Sequence, residues 1–284
     1  VYDPGPRPRF NTDDKPGRMW RPPDSTAGGF QQNGPMSTSF TPDADTAALL
    51  APGGRLRAAI NLGNPILAST DPATGRARGV SVDLAQALAE RLGVPLDTLE
   101  FQAATRSVDA VTGGAADVGF FAIDPLRGAE IAFTDAYILI EGAYLVRAGS
   151  PCRANEDVDR AGTRVAVGKG SAYDLFLTRE LKAASFVRVP GAAEVMQTLR
   201  DGGADVAGGI RQVLLEVAAH DAGLRLLPGR FMVIRQAMGV ARTRGPAAEA
   251  ALRAFVEDMK ASGFVAEAMA RHAVAGASVA PPSH

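Results

Sequence analysis

Two stretches of this chain repeat each other. Gly79-Val-Ser-Val-Asp83-Leu84 returns as Gly170-Ser-Ala-Tyr-Asp174-Leu175, and AADVG (115–119) returns as GADVA (203–207), in the same order. The pattern around each copy is also the same. RLRAAI (55–60) reads as a strand, GVSVDLAQALAERLG (79–93) as a helix stopped by Gly93, LDTLEFQ as a strand, RSVDAVTGG as a short helix, and ADVGFF as a strand. TRVAVG, SAYDLFLTRELKAA, SFVRVP, AAEVMQTLRDGG and ADVAGG then give strand, helix, strand, helix, strand again. A β-α-β-α-β unit has few foldings, because right-handed crossovers and burial of both faces force a parallel sheet between helices. Two such units in one chain predict an α/β protein with two lobes. Each lobe is then a mainly parallel sheet with helices on both faces.

What lies between the halves predicts how they are joined. YILIEGAYLVRAGSP (137–151) is extended and apolar, suited to leaving one lobe for the other, and RFMVIRQAMGVAR (230–242) is suited to returning. Two crossings imply two hinge strands and a cleft. Two helices should follow, the first opened by Pro246 and the pair separated by Ser262-Gly263. This places the first lobe at 53–145 and 235–275 and the second at 146–234. Residues 1–52 are dense in Pro, Gly and polar residues without a period, and read as a disordered extension that holds Trp20, the only tryptophan. Residues 276–284 read as a disordered tail. Met36 is a candidate natural start.

Composition narrows the chemistry. A formal net charge of −1 lacks the basic excess of a nucleic-acid binder, so no nucleic acid is expected. Cys152 stands alone, and His220, His272 and His284 have no ligand spacing, so neither a disulfide nor a metal is expected. No run is long enough to span a membrane, and the N-terminus lacks a signal-peptide pattern. VAVGKGSAYDLFLTREL (165–181) looks at first like a phosphate loop. A nucleotide loop needs Gly where Thr163 stands and Ser or Thr where Gly170 follows Lys169, so both anchors fail. What remains is a strand, a glycine turn and a helix capped by Ser171. By spacing alone it is either an anion-receiving helix start or an ordinary capped helix.

Five segments in order resemble the periplasmic amino-acid-type solute-binding proteins of ABC importers, the family-3 extracellular solute-binding domain. They are GRARGVSVDLAQALAERLGV, AIDPLRGAEIAFTDAYI, AGTRVAVGKGSAYDLFL, MQTLRDGGADVAGG and MKASGFVAEAM, and the resemblance covers roughly Leu56 to His272. It implies the type II periplasmic-binding fold, a small carboxylate-bearing solute held in the cleft by hinge closure, and delivery to an ABC permease. It also implies a monomer with no cofactor and no catalytic residue, located in the periplasm, although a cytoplasmic location fits the missing signal pattern. Arg127 matches the arginine that grips the ligand carboxylate, as a guanidinium does with two parallel hydrogen bonds. Ser171 matches the hydroxyl residue opposite, with Ala172 supplying a main-chain amide. Asn61, Asn64, Phe121 and Ala122 complete the expected wall, with Gln236 a further polar contact.

The chain also departs from that family. The aspartate that pairs with a ligand ammonium should close the Asp205-Val-Ala-Gly-Gly segment, and Ile210 stands there, with Arg211 next. An unpaired ammonium in a closed cleft is costly, so an ordinary α-amino acid is an awkward ligand. Aromatic walls give way to Asn61-Leu62-Gly63-Asn64, and Phe120 and Phe121 are either near the site or core. Two other functions fit the scaffold. One is a dehydratase of the cyclohexadienyl or arogenate type, whose general acid would come from Asp124, Asp174, Glu141 or Glu216. The other is a cytosolic ligand sensor.

Overall fold

The computed structural model describes residues 40–283. The chain enters through α1 (Ala44–Leu50) and β1 (Leu56–Asn61), then a hairpin of β2 (Ser69–Thr70) and β3 (Ala77–Arg78). The first repeat continues through α2 (Val80–Leu92), β4 (Leu96–Phe101), α3 (Ala104–Thr112) and β5 (Val118–Ala122). The long β6 (Ile131–Arg147) leads to the second repeat: β7 (Arg164–Gly168), α4 (Ala172–Glu180), β8 (Ser185–Val189), α5 (Ala192–Arg200) and β9 (Val206–Ile210). After α6 (Arg211–His220) and β10 (Leu224–Leu226), β11 (Met232–Ala241) returns, and α7 (Pro246–Ala261), α8 (Phe264–Arg271) and β12 (Ala277–Val279) follow.

The main sheet runs β4-β1-β5-β11-β6-β9-β7-β8. Strands β4, β1 and β5 are mutually parallel, as are β8, β7 and β9, while β11 and β6 run antiparallel to their neighbours. The two repeats are therefore two parallel three-stranded sets, joined through the two crossing strands. This is the two-lobed α/β architecture read from the repeat.

Strand β6 changes partner at a single residue. Gly142 pairs with Met232 of β11 and with Ile210 of β9. A Cβ at Gly142 would come within 2.8 Å of Met232 Cγ and 2.9 Å of Phe231 Cε2, so the crossing needs glycine. The register of β11 against β6 also shifts at Gln236/Ala237, an irregularity of the sort that re-aims side chains near functional clefts.

The core follows the sequence patterns. The apolar spacing of α2 predicts a stripe of Val82, Leu84, Ala85, Leu88, Ala89 and Leu92; the helix buries all of these except Val82, which is half-buried, buries Val80 as well, and ends at Gly93 with φ 68°. Truncating a residue such as Leu88 to Ala there costs about 2–5 kcal/mol. The two repeats also share one device. In the first, Asp117 accepts from Arg57 N at 2.9 Å and from its guanidinium, and in the second Asp205 accepts from Arg164 N at 3.0 Å and from its guanidinium. The AADVG and GADVA copies thus place the same clamp beneath each parallel set.

Several expectations need correction. Within the extension expected to be disordered to residue 52, α1 is a helix with Asp43 as N-cap, and Leu50 is fully buried. Phe40 meets Phe255 of α7 edge-on at 5.7 Å. Pro and Gly density masked the Asp-Ala-Asp-Thr-Ala-Ala-Leu-Leu pattern that caps and anchors this helix. Trp20 lies outside the described residues. The expected disordered tail contains β12, which adds to β6 through Ala277↔Ile140 and Val279↔Ile138. Helix α4 stops at Glu180, short of the expected Ala184, because Asp159 accepts from the amides of Lys182, Ala183 and Ala184 and fixes a turn there. The lobe boundaries drawn at 145/146 and 234/235 fall inside β6 and β11.

Candidate functional site

The carboxyl ends of β1, β5, β7 and β9 point at one another, and doubly wound sheets present their ligand crevice at such strand ends. Between them lies a cavity of about 120 Å³. All eight residues singled out above border it: Asn61, Asn64, Phe121, Ala122 and Arg127 from the first lobe, Ser171, Ala172 and Ile210 from the second. Gln236, on the returning hinge strand, borders it as well.

Arg127 follows β5 at the start of one 3-10 turn. The turn is set by Asp124, whose carboxylate accepts from Leu126 N at 2.9 Å. The Arg127 guanidinium donates from Nη1 to Ala122 O at 3.1 Å, and from Nη2 across the cleft to Gly170 O at 2.9 Å. The residue is only 7% exposed. Burial pulls its pKa down and the Asp124 charge opposes that, but an arginine stays protonated. Among the described residues no carboxylate forms an ion pair with it. It is a buried cation held by two carbonyl oxygens, with donors to spare.

Opposite stands the start of α4. Ser171 Oγ accepts from Asp174 N at 3.1 Å, which makes it the N-cap. As an acceptor its oxygen is engaged, but its own proton remains to be donated. The amides of Ala172 and Tyr173 belong to the first turn, which has no intrahelical acceptors, and the helix dipole adds partial positive charge there. Asp174 is turned to the loop: it accepts from Gly170 N at 2.8 Å and pairs with Arg188 at 2.9 Å.

Two amides line the wall. Asn64 is 9% exposed, and its Oδ1 is buried without a hydrogen-bond partner. Asn61 is tied to its own loop, accepting from Gly63 N at 3.0 Å. Phe121 borders the cavity and belongs to the core as well: its ring packs with Ala59, Ala110, Val111 and Ile131 and meets Phe133 at 6.3 Å. Strand alternation explains this, since Phe120 and Ala122 face one layer and Phe121 the other.

Tyr173, Gln102 and Lys169 also border the cavity, and none was singled out from sequence. Burial pushes the Tyr173 phenol up. Its signal was its position two residues after Ser171, at the mouth of the helix. Of the acids proposed for dehydration, none lines the cavity. Asp124 pairs with Arg179 at 2.8 Å, Glu141 with Arg230 and at 3.5 Å with Arg211, and Glu216 is exposed on α6. Cys152 is buried beside Asp157 O, away from the site.

The family model for bacterial extracellular solute-binding proteins, family 3, matches residues 56–274. The chain belongs to that family. It is a solute-binding protein rather than an enzyme, and its fold is the family's. The chain is 22% identical over 205 residues to a glutamine-binding protein of Geobacillus stearothermophilus, covering 71% of this chain and 78% of that one. Among solved structures, a mutant of ArgBP from T. maritima superposes with a TM-score of 0.67 at 21% identity, covering 80% of this chain and 98% of that chain. An ancestral amino acid-binding protein, described as a precursor of cyclohexadienyl dehydratase, gives 0.65 at 20% identity, covering 80% and 98%. These likenesses to structures speak for the fold alone.

Proposed function

We propose that this family-3 solute-binding protein captures a small carboxylate-bearing solute between its lobes and hands it, as a single copy, to a membrane permease of an ABC importer outside the cytoplasm. The observation that carries this reading is Arg127: a buried guanidinium that forms no ion pair with a carboxylate among the described residues, bordering a cavity that also meets the amide-rich start of α4. A carboxylate arriving there supplies the missing negative charge. It also gives the lobes one shared partner, which is what hinge closure on a ligand requires. Relatives named for arginine, glutamine or amino acids in general share this scaffold, and their ligands all carry a carboxylate.

The test is thermal shift over a wide carboxylate panel, with the wild type beside Arg127→Ala. A ligand at about a hundred times its Kd stabilises the folded state by about 2.7 kcal/mol, which for a chain of this size raises Tm by roughly 5–10 °C. The variant should show no shift with the same compounds. A shift of wild-type size in the variant removes Arg127 from the site and ends this reading.

A further inference from the structure

We propose that the cleft selects a short hydroxy acid, of glycolate or lactate size, over any α-amino acid, with Asn64 taking the ligand's uncharged donor. The inference rests on the carboxylate reading above and adds what stands at the other end of the ligand. Three observations point to it.

The first is charge. No Asp or Glu is among the residues that line the cavity, while Arg127, Lys169 and the positive end of α4 all border it. Three acids close to the lining residues are already matched with arginines, Asp124 with Arg179, Asp174 with Arg188, and Glu141 with Arg230 and Arg211, and Glu194, whose carboxylate approaches Gly191, is exposed on α5. Ile210, which closes β9 and borders the cavity, brings no charge to it. A ligand ammonium would give up its water for no counter-charge and would face cations.

The second is the Asn64 amide. A buried oxygen without a partner is unusual in a folded protein, and an uncharged O–H or N–H from a ligand satisfies it. Gln236, 5% exposed, adds a second neutral amide.

The third is volume. An apolar cavity of ~150 Å³ accommodates benzene, so a cavity of about 120 Å³ suits about five or six non-hydrogen atoms. Glycolate and lactate fit within it, whereas glutamine and arginine, about twice as large, would have to extend out through its open side.

Calorimetry with matched ligands on the wild-type protein tests this: glycolate, lactate, propionate, glycine, alanine, glutamine and arginine. Glycolate or lactate should bind at least tenfold more tightly than glycine or alanine, and at least tenfold more tightly than propionate, which lacks the donor. Asn64→Leu should erase the advantage over propionate. Equal or tighter binding of glycine or alanine overturns the proposal, and so does tightest binding of glutamine or arginine. Either result leaves carboxylate capture standing if Arg127→Ala still abolishes binding. A preference for lactate over propionate that survives Asn64→Leu overturns the role of Asn64.

Discussion

Asp117 and Asp205 occupy equivalent places in the two repeats, yet their surroundings differ. The Asp117 side chain is fully buried and shared between Arg57 and Arg244, whereas that of Asp205 is 34% exposed and shared between Arg164 and Arg147. Burial alone would raise the Asp117 pKa, but the hydrogen bonds from Arg57 and Arg244 outweigh it and the value lies below the ordinary one. Asp205 is lowered chiefly by its hydrogen bond from Arg164. A carboxylate depressed in the folded state stabilises it above the unfolded pKa of about 3.9 and loses that contribution as pH falls through the folded value. Asp117→Asn should therefore cost about 3 kcal/mol at neutral pH, since it removes the fully buried charge that Arg57 and Arg244 share, and should flatten the acid limb of the stability profile. Asp205→Asn should cost about 1 kcal/mol or less. Urea unfolding of both variants from pH 7 down to pH 3 checks the difference. Equal costs would mean that burial does not set the strength of the clamp. The repeat made both aspartates legible in the sequence, but which one is buried depends on Arg244, 127 residues further on.

The turn into α4 shows where sequence reading stops at the level of elements. Strand, glycine turn and N-cap were all visible in VAVGKGSAYDLF, because each is a local choice of residue. That the turn touches the other lobe was not. Gly170 has φ +70°, and a Cβ there would stand 2.4 Å from Thr105 Cγ2 on α3. Glycine is required twice over, for the conformation and for the contact. The first requirement acts in every state of the protein, the second only when the lobes meet. Gly170→Ala should lower folding stability by about 1–2 kcal/mol through the left-handed backbone, and should in addition weaken ligand binding at least tenfold by holding the lobes apart. Tm and calorimetric affinity, measured on the same sample, separate the two effects. An affinity unchanged beside a lowered Tm would show that the Thr105 contact has no part in closure. Long-range pairing hid the other elements too. β12 is a strand only because β6 offers it an edge, and α1 persists because Leu50 and Phe40 find α7. Phe121 stayed open between site and core in the sequence, since a short strand bordered by a cleft does not announce which face is core.

At the scale of the whole molecule, the two lobes are joined by strands that run through both and meet by contacts that can part. Contacts that cross the cleft include the Arg127–Gly170 hydrogen bond, the Thr105–Gly170 approach, and the ion pair of Arg179 with Asp124 at 2.8 Å. The last differs from the others because it owes nothing to the cavity. Arg179 lies on the last turn of α4 with its side chain 41% exposed, while the Asp124 side chain is 4% exposed. When the lobes separate, both charges regain water, so the pair's net contribution to closure is modest. Removing Arg179 is more severe than that balance suggests, because it leaves Asp124 buried and unpaired only while the lobes are shut. Arg179→Ala should therefore shift the lobes toward the open arrangement by about 1–2 kcal/mol, and the apparent affinity should fall by about fivefold to thirtyfold as the binding-competent fraction shrinks. Small-angle scattering should show a larger radius of gyration than wild type in the absence of ligand and the same radius at saturation. Asp124→Asn should weaken binding less, since no buried charge is left behind. Wild-type scattering and wild-type affinity in Arg179→Ala would mean that the hinge strands alone set the resting geometry and that the ion pair merely decorates it.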